Sequence, residues 1–282
     1  MPASPPTTIT ELGALRRALS AFRDAGQAVA LVPTMGALHD GHLELVHLAR
    51  TKADCVVTSI FVNPAQFAPH EDFDRYPRDL EGDVARLSVA GCSLVWAPDR
   101  AAMYPEGFAT HVVPAGAAEG LEGAFRPNFF TGVATVCLKL FNQVRPDFAI
   151  FGEKDYQQLS VIRQIVRDLD LAVEIVAAPI VREPDGLAMS SRNRYLSPAE
   201  RSVAPAMHKT ILQAAKDWRS DGADHGRIEA DSAKALLAAG YEKVDYVAIR
   251  DATTLGLPGD GPSRVLAAAW LGKTRLIDNV AA

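Results

Sequence analysis

The sequence contains no apolar run of the roughly 18 to 20 residues that a membrane-spanning helix needs, so no membrane association is expected. It also lacks a surplus of positive charge. The formal net charge is −5, with acidic and basic residues interleaved along the chain, which leaves no basic face to neutralise a nucleic-acid backbone. Cysteine is scarce: Cys55, Cys92 and Cys137 lie far apart inside apolar segments, none at metal-ligand spacing. They read as reduced core residues of a cytoplasmic protein. The opening segment, MPASPPTTIT, has no basic stretch followed by an apolar one. It is expected to be a short ordered lead-in rather than a secretory signal. Internal repeats are missing, as is low complexity beyond the first few residues, so a repeat architecture is excluded.

What is present is the composition of a globular protein with a substantial core, 48% hydrophobic and 22% charged. At about 100 to 200 residues per domain, 282 residues suggest two domains. Thr8 and Glu11 have capping-box spacing, and Leu12, Leu15, Leu19 and Phe22 follow at helical intervals up to Gly26. Strands are then predicted at residues 28–32, 55–62, 93–97, 147–151 and 172–177, and helices at 41–53, 80–90, 131–144 and 156–169. Such alternation implies a doubly wound, mostly parallel α/β sheet of Rossmann-like type over residues 1–178, because parallel strands require crossover connections. After Pro179 the pattern becomes two helices, at about 198–219 and 224–239, with strands near 244–249 and 264–270. A smaller α+β domain over residues 179–282 is expected there.

Four polar segments interrupt this pattern. Pro33-Thr34-Met35-Gly36-Ala37-Leu38-His39-Asp40-Gly41-His42 lies where the first strand ends and a helix begins, which is the ligand position of such sheets. Free N–H groups in the first helical turn can hold an anion there, and phosphate is the natural occupant. His39 and His42, three residues apart, can face one side of that turn. Beside phosphates they are expected to hold a proton near neutral pH. Phe61-Val62-Asn63-Pro64-Ala65-Gln66-Phe67 follows a strand and brings two neutral amides, Asn63 and Gln66, suited to the hydroxyl and carboxylate groups of a small polar substrate. Phe151-Gly152-Glu153-Lys154-Asp155-Tyr156-Gln157-Gln158 supplies a turn, the mobile cation Lys154 and an N-cap candidate in Asp155. Met189-Ser190-Ser191-Arg192-Asn193 offers hydroxyls and a guanidinium that can take phosphate from the side opposite the histidines, making the small domain a lid. Asp79, Glu81 and Asp83 read as a solvated helix N-terminus, and no metal ligands are assigned from them.

MGALHDGH resembles the HxGH signature of the nucleotidyltransferase superfamily. PTMGALHDGH, FVNPAQF, YPRD, FGEKDYQQL and DGLAMSSRNRYL together, in that order, resemble the pantothenate synthetase family along almost the whole chain. The resemblance implies an ATP-dependent ligase that joins pantoate to β-alanine through a pantoyl adenylate, with Mg²⁺ accompanying ATP. It implies ATP binding by residues 35–42, by Gly152, Glu153, Lys154 and Asp155, by Val181, and by Met189, Ser190, Ser191 and Arg192, with His42 as the catalytic histidine. Gln66 is implied to contact both pantoate and β-alanine, and Gln158 to contact pantoate. Asn63 is placed with them as a pantoate ligand and His39 and Lys154 with His42, and a homodimer is implied. Glu44 departs from several family members and is expected to face solvent. A nucleotidyltransferase that leaves AMP or CMP on its product is disfavoured by the Gln66, Gln158 and FGEKD set, and a regulatory protein without catalysis by the intact HxGH and SSR motifs.

Overall fold

The computed structural model describes residues 5–68, 71, 73–220 and 222–282. Two sheets organise it. The first part of the chain runs β1 (Thr7–Ile9), α1 (Leu12–Asp24), β2 (Val29–Thr34), α2 (Asp40–Arg50), β3 (Cys55–Ile60), α3 (Leu80–Ala90) and β4 (Leu94–Trp96). It continues with α4 (Arg100–Met103), α5 (Leu121–Phe125), α6 (Phe129–Val144), β5 (Phe148–Gly152), α7 (Tyr156–Asp168) and β6 (Glu174–Ala178). Its six strands lie in the order β1-β4-β3-β2-β5-β6 and every pairing is parallel. The chain winds one way from β2 through β3 to β4 and the other way from β5 to β6. The order therefore reverses between β2 and β5, and their carboxyl ends form the crevice where such sheets bind ligands.

Both faces of this sheet are covered, which is why its strands are apolar runs rather than alternating ones. Leu31 and Val57 face a core shared with Leu15 and Leu19 of α1, Val133 of α6 and Leu159 and Ile162 of α7. Ala30, Val32 and Ile150 face the other way, onto Val46 of α2 and Leu87 of α3. Cys55, Cys92 and Cys137 are all buried and free. Burial pushes the Cys55 and Cys137 thiols up to about 12, so neither offers a thiolate.

The rest comprises α8 (Pro198–Val203), α9 (Ala206–Trp218), α10 (His225–Ala239), β7 (Lys243–Asp251), β8 (Ser263–Leu271) and β9 (Thr274–Ala281). The strands form an antiparallel sheet with its own core of Met207, Ile211, Leu236, Ile249 and Val265.

Several expectations are corrected. The Thr8–Glu11 capping box does not form: Thr8 pairs with Val95 in the sheet, and Glu11 caps α1 without a side-chain bond. Residues 1–4 of the expected lead-in lie outside the described residues, and Thr7–Ile9 is a strand. The helix expected over 198–219 is two helices, because Pro205 lacks the N–H that an unbroken helix needs. β9 is not among the expected strands: the pair Asp278-Asn279 in its middle has the character of a turn.

Candidate functional site

Three of the four polar segments leave adjacent strands at the carboxyl edge of the sheet, after β3, β2 and β5, and the fourth closes over them. Together they line a cavity of about 230 Å³. Pro33, Thr34, Met35, His39, Gly41, His42, Asn63, Gln66, Gly152, Lys154, Asp155, Gln158, Val181, Met189, Ser190, Ser191 and Arg192 all border it. A cleft of about 770 Å³ between the two sheets adjoins it, sharing Arg126, Lys154, Asp155, Ser190 and Arg192.

Five expected ligands stand behind this surface. Asp40 is exposed and pairs with Arg86 at 3.4 Å. Glu153 turns to Arg264 at 3.4 Å. Gly36, Ala37 and Leu38 form a tight loop in which Gly36 has φ +80° and Ala37 φ +52°. The Ala37 and Leu38 N–H groups donate to Asp83 Oδ2 and Oδ1 at 2.9 and 2.8 Å, so they are spent before any phosphate arrives. Gly36 is obligatory twice over: its backbone is left-handed, and a Cβ there would stand 2.8 Å from Asp83 Oδ2. Asp83 itself is 4% exposed, which overturns its reading as part of a solvated helix N-terminus. Asp79 does cap α3, accepting from the Gly82 N–H at 3.0 Å. Glu44 is exposed, as expected, and meets His47 at 3.2 Å.

His39 caps α2, and the N–H groups of His42 and Leu43 bond to its carbonyl at 2.8 and 3.3 Å. The two imidazoles lie with centroids 4.1 Å apart and planes tilted by 38°, and His42 Nδ1 accepts the His39 N–H at 3.3 Å. Nδ1 is thus the acceptor nitrogen, and a neutral His42 carries its proton on Nε2. Burial, then the neighbouring His39 and the Lys154 cation, push His42 well below its ordinary range. Burial, then Lys154 and Arg194, lower His39 to about 4. The site as it stands disfavours the imidazolium expected beside phosphates, because two half-buried rings next to a lysine resist the extra charge.

Asn63 is bonded on every side. Its Nδ2 donates to Gln66 Oε1 at 3.0 Å and to the Gly132 carbonyl at 3.1 Å. Its Oδ1 accepts from the Ala65 N–H and the Tyr104 hydroxyl at 3.2 and 2.8 Å. All four bonds of the amide are used within the fold, and the one to Gln66 orients that side chain at the cavity wall, to which Asn63 also contributes. Gln66 keeps its Nε2 over the cavity floor, 3.2 Å from Met35 Sδ. On the roof, Ser190 Oγ accepts from the Arg192 N–H at 3.2 Å, and the Ser191 hydroxyl meets that of Tyr76 at 3.3 Å. Among the described residues, no group of three His, Cys, Asp or Glu side chains is arranged to hold a metal.

Motif reading missed the bonds of Asp83 to the 37–38 loop, the Arg126–Glu71 pair at the cavity rim (2.7 Å) and the buried Glu122–Arg275 pair across the cleft (2.7 Å). Each joins segments distant in sequence, and only a partner known in space would have marked them.

A family model described as pantoate-beta-alanine ligase matches residues 7–281. The pantothenate synthetase of Caulobacter vibrioides is 52% identical over 281 residues, covering 98% of this chain and 98% of its own. That of Rhodopseudomonas palustris strain BisB18 is 55% identical over 280 residues, with 98% of each chain covered. The crystal structure of pantothenate synthetase from Thermus thermophilus superposes with a TM-score of 0.90 at 46% identity, covering 97% of this chain and 98% of that one. Pantoate-beta-alanine ligase from Francisella tularensis, crystallised with beta-gamma ATP and β-alanine, gives a TM-score of 0.82 at 31% identity, covering 98% of this chain and 97% of that one.

Proposed function

The chain belongs to the pantoate–β-alanine ligase family, and from that premise we propose how its side chains divide the work. The reaction is the ATP-dependent condensation of (R)-pantoate with β-alanine to pantothenate, AMP and pyrophosphate through pantoyl adenylate, a step towards coenzyme A. The observation that carries the assignment of roles is the cavity itself, where His39, His42 and Lys154 meet Gln66 and Gln158.

Pantoate's carboxylate, with a pKa near 4, is ionised at neutral pH, so the first step needs no base. Its oxygen forms a bond to the α-phosphorus as the α–β phosphoanhydride bond breaks. Lys154 balances the charge of the departing pyrophosphate, and neutral His42 donates from Nε2 to the phosphorus-bound oxygens. Ser190, Ser191 and Arg192 hold the phosphates from the other side, and Gln66 and Gln158 hold pantoate. Gln66 also receives β-alanine. Mg²⁺ enters as part of Mg·ATP, with phosphate oxygens as its principal ligands.

In the second step the β-alanine nitrogen attacks the acyl carbon and AMP leaves. The ammonium must first lose a proton. His42 has Nδ1 engaged by the His39 N–H and Nε2 protonated, so no lone pair is left to accept one. That proton passes to the adenylate phosphate, and the second amine proton, shed as the acyl–oxygen bond breaks and the amide forms, goes to solvent.

Residues 1–178 and 179–282 act as a catalytic domain and a smaller lid domain. The end of β6 at Ala178 supports this division, as does the placement of Met189–Arg192 over the cavity. A cytoplasmic homodimer follows from the family. No helix among the described residues is long and apolar enough to cross a membrane.

The test is AMP formation from Mg·ATP and pantoate, with and without β-alanine, with mass analysis of the product. AMP rising with β-alanine alongside pantothenate is expected, and His42→Ala should lower turnover by about 10² to 10³. Full activity in that variant would remove His42 from the chemistry.

A further inference from the structure

Strand β9 carries two consecutive buried polar residues, Asp278 at 4% and Asn279 at 2% exposure. Successive side chains of a strand point to opposite faces, so this pair reaches two different loops. Asn279 Nδ2 gives both its hydrogens to backbone carbonyls in the segment after β5, those of Glu153 and Lys154, each at 2.9 Å. Its Oδ1 accepts from Arg264, whose guanidinium lies 3.8 Å from the centre of the Tyr156 ring. Asp278 takes Arg182 in a two-point contact at 2.6 and 2.9 Å. Arg182 continues to the Gly186 carbonyl at 3.0 Å, in the turn that leads into Met189–Arg192.

We propose that Asn279 is a positioning residue for Lys154, and that β9 sets the spacing of the two loops that face the nucleotide phosphates. The inference rests on the reading of Lys154 as a phosphate-binding cation. The side-chain type is dictated by the geometry. Two adjacent carbonyls need two donors from one short side chain with no charge, and the asparagine amide supplies them; aspartate offers none and leucine none. A buried amide with both hydrogens given and its oxygen engaged holds its partners in one arrangement, because losing a bond leaves a polar group unpaired. Without Asn279, the Glu153 and Lys154 carbonyls would seek water, and the segment would turn the Lys154 side chain away from its place in the cavity wall.

The test is a two-background comparison. Affinity for a non-hydrolysable ATP analogue is measured by calorimetry for the full chain, for Asn279→Leu, for Lys154→Ala and for the double variant, each confirmed folded by its thermal melt. Asn279→Leu should weaken binding about tenfold when Lys154 is present and less than about twofold once Lys154 is alanine, since its effect passes through that side chain. Equal losses in both backgrounds, or no loss in the first, would overturn the proposal. If Lys154→Ala alone leaves affinity unchanged, the phosphate-binding reading of Lys154 falls, and this inference with it. Should Asn279→Leu not fold, Asn279→Ser retains one donor. It should give a smaller loss with the same dependence on Lys154, and the same equality of losses would refute it.

Discussion

Replacing Asp83 by asparagine should separate activity from stability. The carboxylate accepts the Ala37 and Leu38 N–H groups at 2.9 and 2.8 Å and is 4% exposed. Hydrogen bonds to a charged acceptor contribute about 1.5–3 kcal/mol each. Asparagine keeps one acceptor but turns its NH₂ towards the other N–H, leaving a buried donor unpaired at about 1–3 kcal/mol. An opposing effect limits the loss. Burial, which outweighs the two N–H bonds, pushes the Asp83 carboxyl above its ordinary range, so the native charge already carries a desolvation cost that a neutral amide avoids. Folded Asp83 holds its proton more tightly than unfolded, and its contribution to stability is lost as pH rises through the raised value; the asparagine variant should lack that decline.

The net cost should be about 1–2 kcal/mol, a fall in Tm of roughly 2 to 8 °C for a chain of this size. Activity should suffer far more. The 36–38 loop leads straight into His39 and His42, and a displacement of about 1 Å at a reacting group costs on the order of 10²-fold. Pyrophosphate release from Mg·ATP and pantoate, followed well below the melting temperature, should fall by about that factor. A variant with the lowered Tm but activity within about twofold of the parent would show that the loop keeps its shape without Asp83.

Gly132→Ala should act on pantoate binding: the new methyl would stand 2.2 Å from the Ala65 carbonyl oxygen and 2.8 Å from the Gln66 nitrogen. Overpacking of this kind costs about 1–3 kcal/mol, and steady-state kinetics should show a raised KM for pantoate; an unchanged KM would refute the contact. His39 should titrate by imidazole NMR with a midpoint of about 4. Unfolded histidine protonates first, near 6.5, so stability should be lost as pH falls from there towards the His39 midpoint; a midpoint above about 6 would refute the burial argument. Arg275→Met leaves buried Glu122 and Asp245 without the guanidinium that bonds each at 2.7 Å. Breaking a buried pair from one side costs about 3–5 kcal/mol, and a thermal-melt loss below about 1 kcal/mol would mean that water reaches the pair.

Local pattern was enough to draw five of the six strands of the parallel sheet, β1 excepted. Apolar runs such as Val29–Val32 and Cys55–Val57 and helical spacings such as Leu15–Leu19 depend only on which faces of an element must leave water, and that is written within a few residues. The same local signals placed PTMGALHDGH, FVNPAQF and FGEKD at strand ends, where a doubly wound sheet gathers its loops. The strand at β9 escaped because Asp278-Asn279, solvated, would make a turn, and only a neighbouring strand and two foreign loops make it a buried segment.

The remaining decisions belong to the tertiary structure. Asn63 and Gln66 are alike on paper as neutral amides beyond a strand. Gly132 and Tyr104, 69 and 41 residues away, use up the bonds of the first and leave the second to face the cavity. Asp83 is indistinguishable in sequence from its solvated neighbour Glu81 until the loop at 37–38 lands on it. Sequence alone thus determined strands β2 to β6, the family and the chemical types brought to the site. Which polar side chains reach the cavity and which only hold others was decided by folding, because a hydrogen bond needs a partner within about 3 Å, and the distant chain segments supply it.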